Sequence, residues 1–480
     1  MFEESVVISK IRTLNYRDLL IFLIPFIIFL YYLHVYSPGI LVFDSYNQLH
    51  QIATGNFNNW HPFFHTFIEM MCLKVYGSPA SVAVLQIIVF STIWVVICKY
   101  NRDDSVKSKL GFGLQLLVTL IISLIPINPI FAINLQKDIL FSYCLLLLCF
   151  LMEVLIDRKG EVGYPFAILF SIVLACTAQL RQNGMILVIV FMVILVLLFY
   201  FKYKNYRLAI TIPAVAVALI LLIASLSIVY DVTEHQNEAL MDITVHMLVD
   251  YEMSLKLDPE DQAKVNDLVS HKQIDKHYNI FFKDPTRNHI VHKDVWKKDR
   301  YTYVAMAIKY SILHPKHFIT YMFKSAPIVW DITRESGWKE ANGVVYITDI
   351  ENQKLSFYNK WNETPATDFD NVSAANVGTA EYQALNGFAT LAKENLILDT
   401  LFDSPALYMY LAFILLAALY WLTRIRDLWL VYLPNLLNIA IVFVSIPAQL
   451  NRYLYSNLLV FYMLVIILIM VLVNRKTTTA

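Results

Sequence analysis

Charge and cysteine are both scarce in this chain. Only 16% of its 480 residues are Asp, Glu, Lys or Arg, and the formal charges cancel to zero. A neutral chain gives no electrostatic reason to bind nucleic acid. The five cysteines are Cys72, Cys98, Cys144, Cys149 and Cys176, and all but Cys72 fall inside apolar runs. Neither a disulfide framework nor metal-type Cys spacing is therefore present. No G-x-x-x-x-G-K-[ST] loop occurs, which argues against ATP-driven transport. The opening "MFEESVVISKIRTLNYRD" is mixed in charge, and the apolar run after it has no small-residue cleavage site. No cleavable signal is expected there.

What the chain has instead is hydrophobic length. Hydrophobic residues make up 58% of it, and apolar runs of about 18 residues or more suffice to cross a hydrocarbon layer roughly 30 Å thick. The expectation is an all-α polytopic membrane protein with about ten transmembrane helices. They fall at 18–37, 82–98, 111–128, 138–156, 163–180, 184–202, 206–230, 403–423, 427–446 and 453–473. Three regions follow: an N-terminal transmembrane module, 1–230, with its first external loop at 38–81; a polar insertion, 231–402; and C-terminal transmembrane helices, 403–480. The insertion reads as helical to about 330 and irregular or short-stranded near 331–380. Within it, 303–330 is apolar but interrupted by Lys309, His314, Pro315, Lys316 and Lys324. That pattern predicts two amphipathic helices at the membrane surface, with an eleventh span as the rival reading.

Basic residues recur at every second loop. Lys10, Arg12 and Arg17 precede the first span, and Lys99, Arg102, Lys107 and Lys109 follow the second. Arg158 and Lys159, then Lys202, Lys204 and Arg207, then Arg424 and Arg426, and finally Arg475 and Lys476 continue the series. Lys and Arg concentrate in cytoplasmic loops. The remaining loops are then extracytoplasmic: 43–65, 128–138, 180–184, the insertion and 447–453. Polar clusters from distant parts of the chain should meet at the outer face.

Those clusters hold the candidate residues. Asp44 in "FDSYNQ" reads either as a helix cap or as a catalytic carboxylate, since His50, His61 and His65 share its loop. Residues 61–77 are amphipathic at helical spacing, with His61 and His65 one turn apart. With Asp44 they could hold a metal, although no H-E-x-x-H pattern occurs; polar contact with a sugar or phosphate is the other reading. Lys137 and Asp138 open the fourth span. They fit a membrane-edge anchor, with Asp138 at the positive end of a helix dipole and Lys137 snorkelling, as well as a site. Arg181 and Asn183 sit in the short "LRQNG" turn, and Arg452 just precedes the last span. Arginine at that depth suits bidentate contact with phosphate, or ordinary snorkelling to lipid headgroups.

A reaction outside the cell cannot draw on cytoplasmic nucleotide sugars and needs a donor already carried in the membrane, of which a lipid phosphate-linked sugar is one. On the pieces "FDSYNQ", "HPFFHT", "QKDILFS", "LRQNG", "LHPKHFI" and "NRYLY", the chain resembles the GT-C superfamily of polytopic glycosyltransferases. Within it, the chain is similar to a bacterial, chiefly Gram-positive, branch. That branch more often carries Trp where Gln136 stands. The resemblance implies a polyprenyl phosphate-linked sugar donor, a cell-surface glycan or related acceptor, and an inverting reaction in the cell membrane. It implies Asp44 as general base and Arg181, Arg452 and Lys137 on the donor phosphate. His50, His61, His65, Asp138 and Asn183 would contact substrate, and a divalent cation near Asp138 is left open. Two alternatives stand beside it: a lipid-linked oligosaccharide flippase or other transporter, and a polymerase or ligase using diphosphate-linked donors.

Overall fold

The computed structural model describes residues 15–102, 108–233, 238–333 and 378–475. The stretch expected to be irregular near 331–380 lies almost wholly outside them, as do Lys10, Arg12, Lys107 and Lys476. Among the described residues the chain is helical, and β pairing is limited to isolated bridges. Eight helices among the described residues are long and apolar enough to cross a membrane. This is an all-α multi-pass membrane protein.

The eight coincide with expected spans: Tyr16–Val35 (α1), Ala80–Asn101, Lys137–Asp157, Gln182–Lys202, Tyr206–Val229, Pro405–Thr423, Leu428–Ser445 and Asn451–Asn474. The other two expected spans form apolar helices of 17 residues each, Ser108–Leu124 and Tyr164–Leu180. At about 1.5 Å per residue, each is near 25 Å long, at the lower end of the roughly 17–25 residues that cross a bilayer. The first stops ahead of Pro126, and the second at the tight turn around Arg181.

In chain order, the further elements that matter are α2 (Phe43–Thr54), α3 (Phe63–Val75), α4 (Ala80–Asn101), α5 (Ser108–Leu124), α6 (Ile127–Ala132), α7 (Lys137–Asp157), α8 (Tyr164–Leu180), α9 (Gln182–Leu197) and α10 (Tyr206–Val229). Then come α11 (Glu238–Ser254), α12 (Pro259–Leu268), α13 (His271–His277), α14 (Lys293–Leu313), α15 (Pro315–Ser325), α16 (Ala380–Glu394), α17 (Leu396–Asp403), α18 (Pro405–Thr423), α19 (Leu433–Ser445) and α20 (Tyr455–Arg475).

The chain divides into two compact units. The first comprises Met1–Glu234, Val345–Asn438 and Arg452–Ala480, and the second His235–Val344 and Ile439–Asn451. In the second, α11 and α12 pack on α14 around Leu248, Tyr251, Val265, Trp296 and Tyr310. The apolar segment 303–330 breaks at His314–Pro315 into α14 and α15 rather than running through as one span. Proline at the first helical position lacks the N–H that continuation would need.

In the first unit α7 is the axial helix. Its most apolar window is 89% buried against 17% for α10, so α10 turns its apolar residues outward as a lipid-facing helix does. One end of the bundle gathers the basic loops. Asn15 caps α1 through the Arg17 and Asp18 amides. The buried Asp18 then pairs with Lys99 at 3.0 Å and with Arg102, both at the end of α4. Tyr100 donates to Asp157 at 2.6 Å, and Lys202 pairs with Asp427. Asn205 donates to the Gly160 carbonyl at 3.5 Å, so the basic segments at the start of α1 and after α4, α7, α9 and α18 are physically joined.

Candidate functional site

At the other end, the first loop is stitched to the segment ahead of α7. Ile40 N–H donates to the Ile133 carbonyl at 2.9 Å, and Leu135 N–H to the Ile40 carbonyl at 3.0 Å. Gln86 donates to the Ala132 and Asn134 carbonyls. Buried irregular backbone needs such partners, and here they fix the register between the two segments. The Ser45 hydroxyl accepts from Val42 N–H at 3.3 Å and donates to the Leu135 carbonyl. Asp44 is therefore not the cap of α2. The N-cap is Val42, and the Asp44 carboxylate is left to face Lys137 at the start of α7.

Six of the expected residues converge there. Asp44 Oδ2 lies 3.2 Å from Arg452 Nη2 and 3.8 Å from Lys137 Nζ, and Oδ1 lies 3.9 Å from His61 Nε2. Lys137 Nζ meets His61 Nδ1 at 2.9 Å. Asp138 Oδ1 is 3.3 Å from Arg181 Nε, and Oδ2 is 3.4 Å from Arg452 Nε. Arg452 thus bridges both carboxylates. Asp44, Lys137 and Arg452 are the partly exposed members, whereas Asp138 is fully buried. Arg181 is also buried, and its Nη1 has no hydrogen-bond partner.

Each arginine is aimed by local structure. Arg181 is the extended residue between α8 and α9. That hairpin closes because residue 184 is glycine; a Cβ there would lie 2.1 Å from the Thr177 carbonyl oxygen. Its guanidinium sits over the Tyr453 ring, 4.4 Å from the centroid, and near Phe141. Arg452 lies in a 3-10 turn, Asn451–Leu454, at the head of α20. Asn128 ties that helix to the α5–α6 corner, accepting from Tyr455 at 3.1 Å and donating to Tyr462 at 3.2 Å. Polar side chains of this kind lock helices together in apolar surroundings.

The charge state follows from burial and neighbours. Burial and Lys137 push His61 down to about 3, against the opposing pull of Asp44. It is neutral at pH 7. Burial resists ionisation of Asp44, but His61, Lys137 and Arg452 outweigh it and hold the carboxyl well below its usual range. Because His61 is neutral, Lys137 and Arg452 are the cations that do this at physiological pH. Three cations, Lys137, Arg181 and Arg452, then face two carboxylates, Asp44 and Asp138, a net charge of +1.

The other expected site residues fall around this cluster. His65 is fully buried behind it, 3.0 Å from Gln48 Nε2 and 3.6 Å from Glu69 Oε1. It supports α2 against α3 and is not a surface for substrate. Asp138, equally buried, holds arginines rather than substrate. His50 lies on another face of α2, six residues from Asp44, and Asn183 is in the first turn of α9. Among the described residues no group of three or more His, Cys, Asp or Glu side chains is placed to hold a metal; in particular Asp44, His61 and His65 do not form one.

Three contributors escaped the sequence reading: Gln48, Glu69 and Tyr453. The helix expected from residue 61 begins at Phe63, so His61 lies in the bend before it while His65 and Glu69 sit one turn apart on α3; the sequence spacing His61, His65, Glu69 is the signal that could have found Glu69. Glu69 is fully buried, and burial, opposed only in part by Lys137, raises its carboxyl well above the usual range. Its oxygens have no hydrogen-bond partner. The chain matches no known family profile, no curated protein and no solved structure.

Proposed function

We propose that the chain is a membrane glycosyltransferase. It moves a sugar from a polyprenyl phosphate-linked donor to a cell-surface glycan or related acceptor, at the outer face of the cell membrane. The observation that carries this reading is the cluster of net charge +1 around Asp44, at the bundle end opposite the basic loops. Cytoplasmic placement of the basic loops puts the cluster outside. A sugar phosphodiester carries one negative charge and matches +1; a diphosphate-linked donor would overshoot it.

On this reading the acceptor hydroxyl gives its proton to Asp44 as its oxygen bonds to the anomeric carbon. The bond from that carbon to the phosphate oxygen breaks, and the electron pair leaves on the phosphate. Attack opposite the leaving group inverts the centre. Arg181, Arg452 and Lys137 receive the developing charge, the kind of preorganised stabilisation that lowers such barriers most. His61 and Asp138 hold these cations in place.

The test is deletion of the gene with compositional analysis of surface glycans. A sugar substituent should disappear and return with the wild-type gene but not with Asp44→Asn. Full restoration by a well-expressed Asp44→Asn chain contradicts the proposal. Movement of an intact lipid-linked sugar across vesicles without a glycosidic product would favour a transporter instead.

A further inference from the structure

We infer that Arg452 changes partner during the reaction, leaving Asp44 for the departing phosphate as Asp44 takes the acceptor proton. The inference rests on the transferase reading and adds to it a coupling between base and leaving group. Its basis is geometric. Arg452 spans both carboxylates, with Nη2 3.2 Å from Asp44 and Nε 3.4 Å from Asp138. Asp138 also holds Arg181 at 3.3 Å and is fully buried. The link to Asp138 is a buried ion pair without hydrogen-bond geometry, and the hydrogen bond to the partly exposed Asp44 is the end open to exchange.

Charge counting gives the reason for the exchange. With a phosphodiester bound, the site holds three cations, two carboxylates and one phosphate charge, a sum of zero. After transfer Asp44 is neutral and the lipid monophosphate is a dianion, again a sum of zero. One negative charge has moved from Asp44 to the phosphate, while the proton has moved from the acceptor oxygen to Asp44. Arg452 is the cation hydrogen-bonded to the site losing charge, and its planar fork suits a phosphate equally well. As long as Arg452 and Lys137 clamp Asp44, the carboxylate is a weak base. Drawing them toward phosphate strengthens it when donor is present.

The experiment measures binding of a short-chain polyprenyl monophosphate to the purified full-length chain in lipid nanodiscs. Asp44→Asn imitates the protonated base and should bind this dianion about tenfold more tightly than wild type, within the usual span of coupling between sites. Asp44→Ser should do the same, which guards against an effect peculiar to one variant. In Arg452→Gln, adding Asp44→Asn should give no such gain. If Asp44→Asn binds no tighter than wild type, there is no exchange. A gain that persists in the Arg452→Gln background reflects only relieved repulsion and also overturns the inference. Absence of binding by wild type and both Asp44 variants overturns the transferase reading itself.

Discussion

Asp138→Asn is the sharpest probe of how the site is held together. The carboxylate is fully buried and shared by Arg181 at 3.3 Å and Arg452 at 3.4 Å. Breaking a buried pair by removing one partner costs about 3–5 kcal/mol, because a charge is left uncompensated. Arg452 retains Asp44 at 3.2 Å, and Arg181 retains the faces of Tyr453 and Phe141. The expected loss is therefore at the lower end, about 3 kcal/mol. A double-mutant cycle isolates the pair: Asp138→Asn and Arg181→Gln, singly and together, followed by reversible unfolding in mixed micelles. Coupling of about 1–3 kcal/mol is expected, so that the double variant is more stable than the sum of the singles predicts. Losses that add to within about 0.5 kcal/mol would show that the two side chains act independently, and would refute the reasoning.

Asp18→Asn should be as damaging at the other end of the bundle. It removes the carboxylate that the buried Lys99 and Arg102 share, at a cost of about 3 kcal/mol, read as a lower unfolding midpoint. Gly184→Ala places a methyl group 2.1 Å from the Thr177 carbonyl oxygen. The hairpin must open, costing about 1–3 kcal/mol and weakening polyprenyl phosphate binding through Arg181. Glu69→Gln should stabilise the chain progressively above pH 5. The unfolded carboxyl releases its proton near 4.5 whereas the buried one keeps it, so wild type loses up to about 1.4 kcal/mol per pH unit that the variant does not. A variant whose advantage is the same at pH 5 and pH 8 would contradict the burial argument. His61 and His65 give the opposite slope. Both are held neutral down to about 3, so the unfolded chain binds the extra protons below about 6.5. Stability from the two should fall as pH drops from 7 toward 4, and His65→Gln should flatten that fall.

The membrane spans were legible because each needs only length and apolar composition, and these survive without knowledge of neighbours. The two short helices, Ser108–Leu124 and Tyr164–Leu180, were less so, since their ends are set by Pro126 and by the Arg181 turn. Loop charge sorted the bundle's ends correctly as far as contacts join them: Asp18 to Lys99, Tyr100 to Asp157, and Lys202 to Asp427. Asp44, Lys137, Arg181 and Arg452 could be nominated from sequence as polar residues out of place at membrane depth. Which carboxylate each cation would meet could not. That depends on the register fixed by Ile40, Ile133 and Leu135, a backbone pairing with no side-chain signature. The cap reading of Asp44 failed for a similar reason, because Ser45 does the tying. Glu69 and Gln48 looked like ordinary polar residues of an amphipathic helix, and only their burial against His65 and Thr66 distinguishes them.

The most direct measurement is transfer by the purified chain in proteoliposomes, supplied from outside with a panel of radiolabelled polyprenyl monophosphate sugars and surface-glycan acceptors. Wild type should release polyprenyl monophosphate together with an inverted glycosidic product from at least one donor, while Asp44→Asn and Arg181→Gln should release essentially none. Release by Asp44→Asn at the wild-type rate, or no release from any donor by wild type, would contradict the account.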